Sequence, residues 1–156
     1  MKSATGGTFA IIHKGHTKLF YECVKRNTNV TVGVTLFPLV EKYHPVPSFK
    51  IRSYNVKKFF ITNFNIEPEI FPLKDHYGPV IFEKDYSYLI TSEENLPYAC
   101  EINKIRISKG FSPVTIIVVE TVRAFDGRPI STTRILNGEI NIDGEPLNHY
   151  VGECQW

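Results

Sequence analysis

The stretch Gly6-Gly7-Thr8-Phe9-Ala10-Ile11-Ile12-His13-Lys14-Gly15-His16 decides how this chain is read. Its two glycines permit close backbone approach to an anion. A short apolar segment follows, and two histidines then bracket a glycine at the start of an amphipathic run. From Thr17 to Arg26, Leu19, Phe20, Cys23 and Val24 recur at helical spacing, which puts His16 in the first turn of a helix. Unpaired amides and the positive end of the helix dipole favour phosphate there. Two histidines alone would also suit a helix cap or a surface pair, and Gly-Gly alone a plain turn.

A second element lies near the other end of the chain, in Asp126-Gly127-Arg128-Pro129-Ile130-Ser131-Thr132-Thr133-Arg134-Ile135. It follows Thr115 to Val122, a β-branched run that reads as a buried strand. Three hydroxyls after a strand and turn can hold phosphate oxygens beside helix-start amides, and Arg134 can engage two oxygens with its planar fork. Alone, Ser-Thr-Thr reads as an N-cap.

Between these motifs, strands and helices alternate. Strands are expected at Lys2–Thr5, Asn29–Leu36, Ile66–Leu73, Tyr86–Thr91 and Thr115–Val122, the third placed near an edge or end by its prolines. Helices are expected after His16, over Ile51–Phe60 and Tyr98–Ser108, with a short last one from Ser131. A Pro-rich loop carries Pro38, Pro45 and Pro47. The expected fold is α/β, Rossmann-like and doubly wound: a mostly parallel five-stranded sheet with helices on both faces. Such sheets bind ligands beyond the carboxyl ends of strands, where strand order reverses, so both motifs can converge on one crevice.

At 156 residues the chain suits a single domain, residues 1–156, with about 141–156 as a C-terminal tail. A net charge of +2 without a basic stripe argues against nucleic acid. Three widely spaced cysteines, Cys23, Cys100 and Cys154, form no disulfide framework or zinc motif and fit a reducing cytoplasm. No apolar run is long enough for a membrane span.

Together the two motifs resemble the nucleotidyltransferase superfamily with its H-x-G-H signature. Four further matches, in order, narrow the resemblance to the archaeal and eukaryotic type of phosphopantetheine adenylyltransferase over about residues 2–143. They are the D-x-Y-G-P loop in Pro72–Pro79, the S-x-E turn at Ser92-Glu93-Glu94, the I-N-x-I-R helix at Glu101–Arg106, and the D-G-x-P-I-S run in Ala124–Ser131. The resemblance implies transfer of AMP from ATP to 4′-phosphopantetheine, giving dephospho-coenzyme A and pyrophosphate. It implies catalytic roles for His16 at the α-phosphate and for Thr8 and Lys42 at the attacking phosphate. ATP would be held by Gly7, Thr8, Phe9, His13, His16, Ser131, Thr132, Thr133 and Arg134, and phosphopantetheine by Thr8, Lys42 and Asp75. Magnesium is expected with ATP, bound mainly by phosphates and water, with no metal-binding side chains.

Three departures from the family pattern stand out. Ala10 stands where G-G-T-F is followed by an acid, Leu36 and Phe37 where Ser and Asp are usual, and Leu136 where an arginine often follows T-R-I. The expectation is an active enzyme. Its alternatives are a related transferase acting on another phosphate, such as FMN or glycerol phosphate, or a nucleotide-binding regulatory module without turnover.

Overall fold

The computed structural model describes residues 1–40, 42 and 44–147. Its five strands are β1 (Lys2–Gly7), β2 (Asn29–Thr35), β3 (Glu69–Leu73), β4 (Tyr86–Ser92) and β5 (Thr115–Val119). They form one sheet in the order β3-β2-β1-β4-β5, with every neighbouring pair parallel. The chain builds outward from β1 to β3, returns to β4 beside β1, and builds outward again. The reversal lies between β1 and β4, and their carboxyl ends open the crevice.

Helices α1 (Lys14–Val24), α2 (Phe49–Phe64) and α3 (Leu96–Ser108) cover the sheet, and α4 (Thr132–Leu136) closes the second motif. On one face, Phe20 and Cys23 of α1 and Val56 and Phe60 of α2 pack with Val30, Val32 and Val34 of β2. On the other, Ala99 and Ile102 of α3 pack with Ala4, Leu89 and a short 3-10 turn over Gly78–Ile81. The doubly wound α/β expectation therefore holds.

Strand β1 is central yet poor in apolar residues. Ser3 and Thr5 are buried, and their hydroxyls are satisfied by Thr28 and by the Ile90 carbonyl (2.9 Å). Gly6 pairs with Gly33 of β2, and the Leu73 side chain fills the space above both. A Cβ at Gly33 would meet Leu73 carbons at 2.7–2.9 Å, so this layer is built on the absence of a side chain.

Some expected bounds shift. Helix α2 is longer than the apolar pattern suggests because Ser48 caps its start (Ile51 amide to Oγ, 3.3 Å) and Asn65 ends it in the left-handed region at φ 54°. Strand β3 is an edge, as its prolines indicate, but begins at Glu69. The run expected as a buried strand over Thr115–Val122 is instead the opposite edge. It stops at Val119, and only that residue of β5 is buried, because no described strand pairs with its outer side to cover it. β-branched content alone does not distinguish an edge from a centre.

The start of the segment expected as a tail is tied back to the rest of the chain at Ile142 and Gly144. Ile140 is fully buried with Ala124 and Ile130. The Lys14 amide donates to the Ile142 carbonyl (2.9 Å), and the Phe125 amide to the Gly144 carbonyl (2.9 Å). Residues 148–156, including Cys154, lie outside the described part. No described helix is long and apolar enough to cross a membrane.

Phe60 is fully buried and packs against Phe20 (centroids 4.8 Å) and Phe64 (5.4 Å). Phe60→Ala is expected to cost about 3–5 kcal/mol of stability. Urea unfolding should show a lower midpoint with an unchanged slope, and a loss under about 1 kcal/mol would contradict a close-packed α1–α2 core.

Candidate active site

At the carboxyl end of β1 the chain leaves the sheet through Gly7, Thr8 and Phe9. Phe9 adopts φ 54°, unusual for a bulky residue, and is 2% exposed. Its ring folds back beneath Gly7, where an added Cβ would lie 2.9 Å from the ring, and packs on Phe20. The backbone at Gly7 and Thr8 is thereby left facing a cleft of about 590 Å³, within the range of small-molecule sites.

Helix α1 begins at the floor of this cleft. His13 is its N-cap: its Nδ1 accepts from the Gly15 amide (3.1 Å), while the His16 Nδ1 accepts from the His13 amide (3.3 Å). The capping reading and the phosphate reading of these histidines are compatible. With Nδ1 used as an acceptor, each neutral ring carries its proton on Nε2, so capping fixes the tautomer that can donate outward. The rings stack (centroids 3.8 Å, 23°), and Phe9 meets His16 edge-on at 5.0 Å.

Burial pushes His13 down from 6.5 to about 4. It pushes His16 down to about 3, helped by the adjacent His13 ring and by Lys42. Both are neutral near pH 7, so His16 presents an uncharged donor. Lys42 is exposed at the cleft edge on the loop after β2.

Ser131, Thr132 and Thr133 also line the cleft. The Ser131 Oγ accepts from the Arg134 amide (3.2 Å) as the cap of α4, which leaves its own proton free to donate.

Two expected site side chains do not reach the cleft. The Arg134 guanidinium, expected to grip ATP phosphates, turns the other way. Its Nη2 lies 2.5 Å from Asp126 Oδ2, its Nε 3.0 Å from Glu139 Oε1, and its Nη1 3.0 Å from the Pro129 carbonyl. Its fork is occupied in holding the Asp126 turn to α4. Burial acts to raise the Asp126 pKa, but the Arg128 amide and the Arg134 and Arg128 side chains outweigh it and hold Asp126 near 2. Asp75 is likewise engaged, accepting from the amides of Tyr77 (2.8 Å) and Gly78 (3.0 Å) to form the turn before the 3-10 helix.

Two site residues were not anticipated. Thr35, at the end of β2, is 3% exposed and donates to the Thr8 hydroxyl (3.2 Å). Arg52 of α2, 1% exposed, donates to the Thr8 carbonyl (2.9 Å). Its sequence signal was a charge on an apolar stripe, since Arg52, Val56 and Phe60 recur every four residues and all three are buried. Among the described residues no group of three or more His, Cys, Asp or Glu side chains could hold a metal ion.

A model of the cytidylyltransferase-like family matches residues 4–138. The chain is 38% identical over 143 residues to a phosphopantetheine adenylyltransferase of Archaeoglobus fulgidus, covering 90% of this chain and 96% of that one. It is 39% identical over 148 residues to one of Methanosarcina mazei, covering 92% and 95%. A crystal structure of an A. fulgidus protein of unknown function superposes with a TM-score of 0.68 at 36% identity, covering 76% of this chain and 89% of that one.

The depressed histidines generate a pH prediction. The unfolded chain protonates both rings below about 6.5, whereas the folded protein keeps them neutral down to about 4 and about 3. The unfolded state therefore binds more protons in that window, and these groups lower stability as pH falls from about 6.5 toward 4. Urea melts at pH 7.0, 5.5 and 4.5 should show a smaller pH dependence for His16→Asn than for the wild type. Identical pH slopes would mean that His16 titrates normally.

Proposed function

The chain belongs to the phosphopantetheine adenylyltransferase family of cytidylyltransferase-like proteins, and from that membership and the cleft geometry we propose that it transfers AMP from ATP to 4′-phosphopantetheine. The products are dephospho-coenzyme A and pyrophosphate, which makes it a nucleotidyltransferase of coenzyme A biosynthesis. The observation that carries this reading is the convergence of Thr8, His16, Lys42 and the Ser131–Thr133 hydroxyls on one cleft at the sheet's reversal point.

The attacking group is a phosphate oxygen that is already ionised, so no general base is required. An oxygen of the acceptor phosphate forms the new bond to the α-phosphorus as the bond to pyrophosphate breaks and pyrophosphate departs with the electron pair. The protein has to align the two phosphates and stabilise the charge that shifts onto the α-phosphate and the leaving group.

His16 suits the α-phosphate, because its Nε2–H is a preset neutral donor on the cleft floor. Thr8 suits the acceptor phosphate from the β1 turn, and Lys42 neutralises that phosphate from the loop. Gly7 lets the backbone come close to the phosphates. His13 acts by setting the first turn of α1, and Phe9 by supporting His16 from behind. Ser131, Thr132 and Thr133 face the pyrophosphate end of ATP.

Arg134 and Asp75 have indirect roles in this reading: each shapes a loop, and neither touches substrate. Magnesium enters with ATP as a substrate complex, bound mainly by phosphates and water. With these water-soluble substrates, we place the protein in the cytoplasm. Ala10 leaves the Gly7 turn and the α1 start in place, which supports an active enzyme over a binding remnant.

The test is formation of dephospho-coenzyme A and pyrophosphate from MgATP with phosphopantetheine, and its absence with FMN or glycerol phosphate. Release of pyrophosphate with one of those acceptors alone would reassign the substrate, and ATP binding without turnover would favour the regulatory module. His16→Ala should lower kcat by about 10²–10³-fold, with ATP affinity changed only a few-fold. Parallel loss of affinity and rate would make His16 a binding residue. Lys42→Ala should raise KM for phosphopantetheine and lower kcat while ATP affinity, measured without acceptor, stays constant. A selective loss of ATP binding would move Lys42 to the nucleotide.

A further inference from the structure

The wall of the cleft beside Thr8 contains a hydrogen-bond chain whose direction is set from outside the cavity. Arg52 comes up from α2 beneath this wall, and among the described residues its partners are all neutral oxygens. Nη1 lies 2.9 Å from the Thr8 carbonyl and 3.4 Å from Thr35 Oγ1, Nη2 3.2 Å from the Leu36 carbonyl, and Nε 2.8 Å from the Pro47 carbonyl.

A guanidinium donates and never accepts, whereas a hydroxyl can do either but has only one proton. At its contact with Arg52, Thr35 Oγ1 must therefore receive. Its own proton goes to Thr8 Oγ1, 3.2 Å away. Thr8 Oγ1 is then an acceptor on its Thr35 side, and its own proton is left for the cleft that Thr8 lines. The Arg52–Thr35 contact is long, so what it supplies is direction more than strength. Opposite a phosphate oxygen, only the donating orientation of a hydroxyl is attractive.

The other two contacts of Arg52 act on the same substrate end. Leu36 and Pro47 stand at the two ends of the segment that carries Lys42, and one planar cation holds both ends and the Thr8 turn together.

Building on the phosphopantetheine reading above, we propose that Arg52 is a positioning residue for the acceptor phosphate: through Thr35 it fixes the Thr8 hydroxyl as a donor toward that phosphate, and through Leu36 and Pro47 it holds the base of the Lys42 segment. It touches no substrate itself.

The test is a double-mutant cycle on kcat/KM for phosphopantetheine. Thr35→Val keeps the shape and removes the relay. It should lower kcat/KM about tenfold, the scale of one hydrogen bond. In a Thr8→Val background the same change should cost less than about twofold, since the hydroxyl it orients is gone. Thr35→Ser should restore the wild-type value, and ATP affinity should stay constant throughout. Equal losses in both backgrounds, or a matching loss of ATP binding, overturn the relay.

Arg52→Lys addresses the second contact without relying on turnover. Amide hydrogen exchange of the peptide spanning 36–47 should accelerate while that of β1 does not. Unchanged protection at 36–47 overturns the clamp. A wild-type protein that makes no dephospho-coenzyme A refutes the choice of acceptor, and the exchange measurement still decides the role of Arg52.

Discussion

The site rests on the burial of one phenylalanine in a backbone conformation that it disfavours. Placing Phe9 at φ 54° costs about 1–2 kcal/mol. Burying its ring to 2% exposure returns about 1.5–3 kcal/mol, so burial wins by a small margin. The consequence is geometric. With the ring drawn under Gly7 and against Phe20 and His16, the chain makes a sharp exit from β1, and Thr8 is held at the rim of the cleft. The direction of α1 and the place of both histidine rings follow from that exit.

The histidines show how a structural role can prepare a chemical one. Each uses Nδ1 to satisfy an amide at the start of α1, that of Gly15 for His13 and that of the N-cap His13 itself for His16. That use of Nδ1 puts the ring proton on Nε2, and burial keeps the rings uncharged. A neutral donor suits a site that must pass negative charge from one phosphate to the next. Among the described residues lining the cleft, Lys42 carries the formal positive charge, exposed on a loop.

Buried arginines organise the connections in a similar way. Arg52 collects carbonyls from the Thr8 turn and from both ends of the Lys42 segment, and Arg106 on the opposite face donates to the carbonyls of Val80, Glu83, Lys84 and Ser112. Both sit on otherwise apolar helix stripes. Loop carbonyls that water would otherwise solvate are instead satisfied by a cation, so the loops above the sheet can be both irregular and buried. Arg134 does the same for the Asp126 turn, this time with two carboxylates as partners beside the Pro129 carbonyl.

Local patterns in the sequence determined the element order, the parallel doubly wound sheet, the start of α1 at the histidines and the short helix after Ser131. Apolar spacing and cap residues carry that information within a few positions. The edge position of β3 was also legible, through its prolines. The edge position of β5 was not, because Thr115–Val119 is as β-branched as a central strand and only the neighbours in the sheet decide exposure. Motif spacing brought Thr8, His16 and Ser131–Thr133 to one crevice but could not tell which way the Arg134 and Asp75 side chains turn. Those directions depend on competing partners, the Asp126 and Glu139 carboxylates and the Tyr77 and Gly78 amides, whose positions exist only in the folded chain. The link from Arg52 through Thr35 to Thr8 was equally invisible. It joins residues 44 positions apart whose one shared signal is a charged residue on a buried helix face, and what that charge binds is fixed only when α2 packs against β2.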